Sequence, residues 1–189
     1  FYGAINVYLK EKSSLYRSAP LWMEQVLDSG LMLRLAARMS GSTKASGMEE
    51  MTLSMLRGED GNQATELDHL IEYLATAIKP DVVHLSNALL LGLGKRVKRD
   101  LGCRLICSLQ DENEWVDPMD EAYRQQVWGL MAEKAVDVDR FVAASRYYSR
   151  LSQDKLNIPA HKIRVVYAGI HLDGYQKSPL PLDPPVIGY

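Results

Sequence analysis

The chain has 189 residues, 47% of them hydrophobic and 24% charged, with a formal net charge of −2. That is the make-up of a globular protein able to bury a sizeable core, with no basic excess of the kind that nucleic-acid binding requires. The longest apolar run, Ala88 to Leu93, is far short of the roughly 20 residues of a membrane-crossing helix.

The predicted elements run as follows. "GAINVYLKEK" (Gly3 to Lys12) reads as a short helix opening on small residues, and Pro20 to Met39 as one or two helices. "SGSTKASG" (Ser40 to Gly47) is a loop by composition. Glu50 to Arg57 reads as a strand closed by glycines. Leu67, Leu70, Ile71, Leu74 and Ile78 form a helical stripe that Pro80 stops. Asp81 to Leu85 is a compact apolar strand, and Leu90, Leu93, Val97 and Leu101 mark a helix with Gly102 just past its end. Arg104 to Leu109 is the next strand. Asp117 and Pro118 give a cap and first-turn proline for a helix reaching about Val136. Asp139 to Ala144 is a strand, Ser145 caps a helix to Leu156, and Ile163 to Ala168 is the last strand.

Short apolar strands alternating with amphipathic helices imply an α/β protein, a parallel sheet with helices on both faces. Ligands of such sheets sit at the carboxyl ends of the strands. Three of those ends are "HLSN" (His84 to Asn87), "QDEN" (Gln110 to Asn113) and "AGIH" (Ala168 to His171). In "QDENEW" two amides, carboxylates and an aromatic match what sugar hydroxyls and rings require; a solvated loop from Asp111 to Val116 is the plainer alternative. Trp115 would either cover a sugar face or shield the start of the next helix, and the second is expected.

Other motifs exclude chemistries. "GLGKR" (Gly92 to Arg96) lacks phosphate-loop spacing and falls inside a helix. The histidines His69, His84, His161 and His171 have no ligand spacing, so no metal is expected. His69 reads as a helix-surface residue and His84 as a satisfied core histidine. Ser86 and Ser145 lack the nucleophile elbow of hydrolases. Cys103 and Cys107, four apart along a strand, lie too far apart for an easy bridge and read as two reduced core thiols of a cytosolic protein.

"VDRFVAASRYYSRLSQDKLNIPAHKIRVVYAGIHLDGY" (Val138 to Tyr175) resembles the end of the first domain of GT-B-fold glycosyltransferases of the family 4, or group 1, type. There a strand ends in serine, a helix follows, and then comes K-I/V-x-V-x-x-x-G-V/I-D-x-x-x-F. Lys162, Ile163, Val165, Gly169 and Ile170 match; His171 stands at the usual aspartate, with Asp173 two later. "KPDVVHLSNALLLGLGKRVKRDLG" (Lys79 to Gly102) resembles the family's P-D-V-V-H strand and the helix after it, and "FYGAINVYL" (Phe1 to Leu9) its loop after the first strand, with Ala4 for the second glycine.

The resemblance implies a Rossmann-like N-terminal domain over 1–178, its first strand missing. Residues 179–189 would be the linker and start of a donor domain not present here. It implies a retaining enzyme that moves a sugar from a nucleotide sugar to a glycosyl acceptor such as a glycan, lipid or small molecule. No cofactor is implied beyond that co-substrate. The acceptor would sit on this domain, and the chain alone would be inactive. Gln110 stands where the family often has a histidine beside the transferred sugar; an amide orients hydroxyls but is no base. Relatives carry L-Q-G-E-D where this chain has "LQDEN", so Asp111 replaces a glycine and Glu112 remains as a carboxylate. Gln110 and Glu112 are therefore the implied catalytic residues. Gly3, Ala4, Ser86, Asn87, Asn113, Gly169 and His171 are the implied substrate-binding residues, Gly3 and Ala4 near the donor phosphates. A cytoplasmic location, compatible with peripheral attachment to the inner membrane, follows, as does self-association through unpaired strand edges. A non-catalytic Rossmann-like ligand-binding or scaffold module is the alternative.

Overall fold

The computed structural model describes residues 48–171 and 173–174. The helices expected within Gly3–Lys12 and Pro20–Met39, the loop Ser40–Gly47, and the candidate residues Gly3 and Ala4 lie outside the described residues, as do 175–189.

The first described element corrects an expectation. Glu49–Arg57 is a helix, α1, and not a strand. Met51, Leu53 and Met55 alternate as in a strand, but Thr52, Leu53 and Leu56 bury on one helical face, and Ser54 is buried beside them, its hydroxyl accepting from Asn62 N–H at 2.8 Å. Glu49 and Glu50 in its first turn and Arg57 in its last complement the helix dipole. A 3₁₀ turn, Gly58–Asp60, leads to α2 (Ala64–Tyr73), which buries Leu67 and Ile71. A π turn, Leu74–Ile78, prolongs α2, and Lys79 turns left-handed (φ 51°) just before Pro80.

Four parallel strands follow: β1 (Val82–Leu85), β2 (Arg104–Leu109), β3 (Arg140–Ala143) and β4 (Ile163–Val165). They pair in chain order, β1-β2-β3-β4; β4 ends three residues earlier than expected and β2 where expected. Leu85 pairs with Cys107, Cys107 with Phe141, and Phe141 with Ile163. That row and its neighbours Leu105, Leu109 and Ala143 are buried. Each large side chain there contributes about 1.5–3 kcal/mol by leaving water. The alternate row, His84, Ile106, Arg140, and the next, Ser108, Val142, Arg164, are half-buried or exposed. Among the described residues, then, the apolar face of the sheet is the one under the crossovers. Right-handed crossovers between strands in sequential order all fall on one face. The arrangement is a Rossmann-like α/β fold.

The β1–β2 crossover is a 3₁₀ stretch (Ala88–Leu93), one helical turn, α3 (Gly94–Arg96), and a π turn (Val97–Leu101). Gly102 closes it at φ 64°, as its sequence position suggests. The cations that crowd this crossover are all met by acids: Arg99 by Glu59 (3.0 Å), Arg96 by Asp68 and Asp100 (2.5 Å each), Lys98 by Asp139 (2.7 Å), and Lys95 also by Glu59. "GLGKR" holds no phosphate loop. Gly92 lets two backbones touch, since a Cβ there would lie 2.1 Å from the Met55 carbonyl oxygen. Its partner Gly58 is equally tight against the Gly92 carbonyl.

Asp117 and Pro118 do not start the next helix as expected. A short helix, α4 (Glu112–Val116), occupies the predicted loop, and Asp117 is its last cap. Pro118 has no N–H to continue α4. A turn closed by Met119 N–H donating to the Val116 carbonyl (3.1 Å) then redirects the chain into α5 (Glu121–Lys134). After β3, Ser145 caps α6 (Arg146–Leu156) as expected, its hydroxyl accepting from Tyr148 N–H at 3.0 Å. Asp139, just before β3, accepts from Leu105 N–H (2.8 Å) and Lys98 (2.7 Å). Burial raises its pKa, but the Leu105 N–H and the Lys98 ammonium outweigh that and hold it below the ordinary carboxylate value.

Candidate functional site

The carboxyl ends of β2, β3 and β4 open into a cleft of about 600 Å³. Ser108, Gln110 and Asp111 line it from the end of β2, and Asn113 and Glu114 from α4. Val142, Ala144, Ser145, Tyr147 and Tyr148 come from β3 and the start of α6, Val166 and Ala168 from the segment after β4. A smaller apolar hollow of about 200 Å³ lies between α1, α2 and the β1–β2 crossover, away from the strand ends.

Glu112 is the centre of the edge, but not of the cleft surface: it is 2% exposed. One carboxylate oxygen accepts from Ala88 N–H (2.8 Å) and the other from the Tyr148 hydroxyl (2.5 Å). Both take a share of Gln110 N–H, at 3.1 and 2.9 Å. The Tyr148 hydroxyl in turn accepts from Glu112 N–H at 2.6 Å. One side chain thus ties together the segments that follow β1, β2 and β3. Burial, and then the Glu112 carboxylate, push the Tyr148 hydroxyl pKa up, so the phenol stays protonated. The same two causes, in the same order, push up the thiol of buried Cys107, which is therefore inert. Cys103 and Cys107 are both free and buried, as expected for reduced core thiols.

Asp111 is left-handed (φ 51°, ψ 22°) at the turn from β2 into α4. A glycine adopts that backbone freely, whereas other residues pay roughly 1–2 kcal/mol, Asp and Asn least. Asp111 adds a carboxylate at the cleft for a modest strain.

The remaining candidate residues are placed as follows. Gln110 lines the cleft, and its amide nitrogen donates to the Ser86 carbonyl at 2.9 Å. Ser86 meets the site through that carbonyl. Asn87 caps the 3₁₀ stretch, its side-chain oxygen accepting from Leu89 N–H at 3.1 Å. Asn113 lines the cleft; Gly169 and His171 are exposed just beyond lining residue Ala168. Trp115 does not shield a helix start: it is half-buried, and its indole N–H donates to the Thr52 hydroxyl of α1 at 3.2 Å. His84 is no core residue. It is exposed, with its ring 2.8 Å from the hydroxyl of Ser108. His69 is exposed on α2, as expected. Sequence reasoning missed Tyr147, Tyr148 and Glu114. The signal for the tyrosines was two aromatics in the first turn after a serine cap at a strand's carboxyl end.

Among the described residues no group of three or more His, Cys, Asp or Glu could hold a metal ion. None of the described helices is long and apolar enough to cross a membrane. Fold and cleft define an α/β protein with an open polar cleft at the carboxyl edge of a parallel sheet. Residues 56–173, more than half of the chain, match the family described as Glycosyltransferase Family 4, and the chain belongs to that family. No curated protein and no solved structure matches it.

Proposed function

We propose that this chain is the acceptor-binding, N-terminal domain of a GT-B glycosyltransferase, spanning 1–178, with 179–189 leading into a donor domain. The whole protein transfers a sugar from a nucleotide sugar to a glycosyl acceptor with retention of configuration, without a metal, in the cytoplasm. The observation that supports this best is the polar cleft at the carboxyl ends of β2–β4 inside the span that matches the family. Gln110 faces the transferred sugar and orients its hydroxyls. Glu112, with both oxygens engaged, serves as the residue that positions Gln110 by holding its N–H. Asn113, Gly169 and His171 contact substrate; Ser86 and Asn87 shape the edge, and Gly3 and Ala4 admit the donor phosphates.

Two measurements test this. The 189-residue chain, incubated with a panel of nucleotide sugars and acceptors, turns over none; clear transfer by it overturns the two-domain assignment. In the protein extended by its downstream sequence, Gln110→Ala lowers transfer at least tenfold, about 1.4 kcal/mol of transition-state binding. Its thermal stability changes little, because Gln110 is exposed. Full activity of that variant removes Gln110 from the site.

A further inference from the structure

We infer that the cleft takes an uncharged or amino sugar, stacked on Tyr147, and rejects sugars that carry a phosphate. This rests on the transferase assignment above and adds the chemical class of the ligand.

Tyr147 is a large aromatic left 74% exposed on the cleft wall. It is nevertheless held in place. Ser145 caps the turn it sits in, and the next residue, Tyr148, is buried and hydrogen-bonded to Glu112. Successive helix residues point about 100° apart, so anchoring Tyr148 in the core turns Tyr147 outward. Core packing does not explain an aromatic in that position. An exposed ring on a backbone held in this way can offer its negative π-face, which suits the C–H face of a pyranose.

The polar lining agrees. Asp111 and Glu114 bring two carboxylates, which only accept hydrogen bonds, and Asn113 an amide. Among the described residues that line the cleft there is no lysine or arginine. Three nearby N–H donors are engaged within the protein: one from the Gln110 amide by the Ser86 carbonyl, Tyr148 N–H by Ser145, and Glu112 N–H by Tyr148. A lining with two carboxylates and no cation fits a ligand that donates, through hydroxyls or an ammonium group. A phosphate would meet the two like charges of Asp111 and Glu114 and, among the described lining residues, no cation to offset them.

The test is calorimetric titration of the 189-residue chain with methyl glucoside, galactoside and mannoside, their 2-amino counterparts and their 6-phosphates. At least one neutral or amino sugar binds, and its 6-phosphate binds at least tenfold more weakly. Tyr147→Ala weakens that binding at least fivefold and Tyr147→Phe keeps it, with melting curves confirming that both variants are folded. Asp111→Asn with Glu114→Gln narrows the gap between neutral and phosphorylated sugar to under threefold. Equal or tighter binding of the 6-phosphate, no binding by any sugar of the panel, or failure of Tyr147→Phe overturns the inference. Transfer by the extended protein is scored separately. Turnover on phosphorylated sugar acceptors alone would sink this inference and leave the transferase assignment standing. Neutral-sugar binding without turnover on any acceptor does the reverse.

Discussion

Replacing Glu112 by alanine should loosen the whole carboxyl edge of the sheet. The carboxylate serves two buried backbone N–H groups, of Ala88 and Gln110, and the Tyr148 hydroxyl. A buried donor left without an acceptor costs about 1–3 kcal/mol. Water entering the space left by the side chain meets part of that need, so the lower bound applies to each. Three donors give a loss of about 3 kcal/mol, or a melting point lower by about 6–12 °C for a chain of this size. Tyr148→Phe removes one donor but leaves Glu112 N–H without its acceptor, a loss of about 1–3 kcal/mol. Because the two residues share one network, the double variant loses less than the sum of the singles by about 0.5–3 kcal/mol. Urea denaturation of the parent, both single variants and the double variant measures all four stabilities. If Glu112→Ala stays within about 0.5 kcal/mol of the parent, as a solvent-exposed site would, or if the two losses simply add, Glu112 does not hold the edge together.

Gly92→Ala destabilises by about 2–3 kcal/mol or more, since its Cβ would lie 2.1 Å from the Met55 carbonyl oxygen. Gly129→Ala, in mid-α5 with nothing within 4 Å, instead stabilises by about 0.5–1 kcal/mol, and thermal melts of the pair check the contrast. Asp139 has a lowered pKa in the folded state, so its contribution is present above the ordinary carboxylate value of about 3.9 and is lost as pH falls through the lower folded value. Asp139→Asn should therefore lower stability at pH 7 by about 1–3 kcal/mol and flatten the acid limb of the stability–pH curve; an unchanged limb rules Asp139 out. Asp111→Gly relieves a left-handed aspartate and should leave stability equal or raise it by up to about 1 kcal/mol, read from the same denaturation curves. Self-association through strand edges predicts dimers or larger species at high concentration; light scattering that stays monomeric across a wide range counts against it.

Local rules were legible wherever a residue's role depends on its neighbours in the chain. The limits of β2, the Ser145 cap of α6, the turn at Gly102 and the buried Leu67–Ile71 stripe of α2 all follow from periodicity and end signals within a few residues. The placement of Gln110 and Asn113 in the cleft at the carboxyl edge followed from one more rule, that parallel α/β sheets are open to ligands at the carboxyl ends of their strands. Where two local patterns competed, sequence misled: α1 has the alternation of a strand, and burial of Leu53 and Leu56 in the core shared with α5 selects the helix. Pro118 gave a helix-start signal that served instead to end α4. Glu112 sits among polar residues and reads as a carboxylate facing the cleft, yet it is buried, because its partners Ala88 and Tyr148 lie 24 and 36 residues away and meet only when three parallel strands bring their ends together. Gly92 reads as part of a failed phosphate motif until the Met55 backbone arrives against it. Hydrophobic period and capping act over one or two turns, so a single stretch of chain carries them; who fills the space beside Glu112, Gly92 or His84 is decided by crossovers that join distant segments, and only the tertiary structure holds that information.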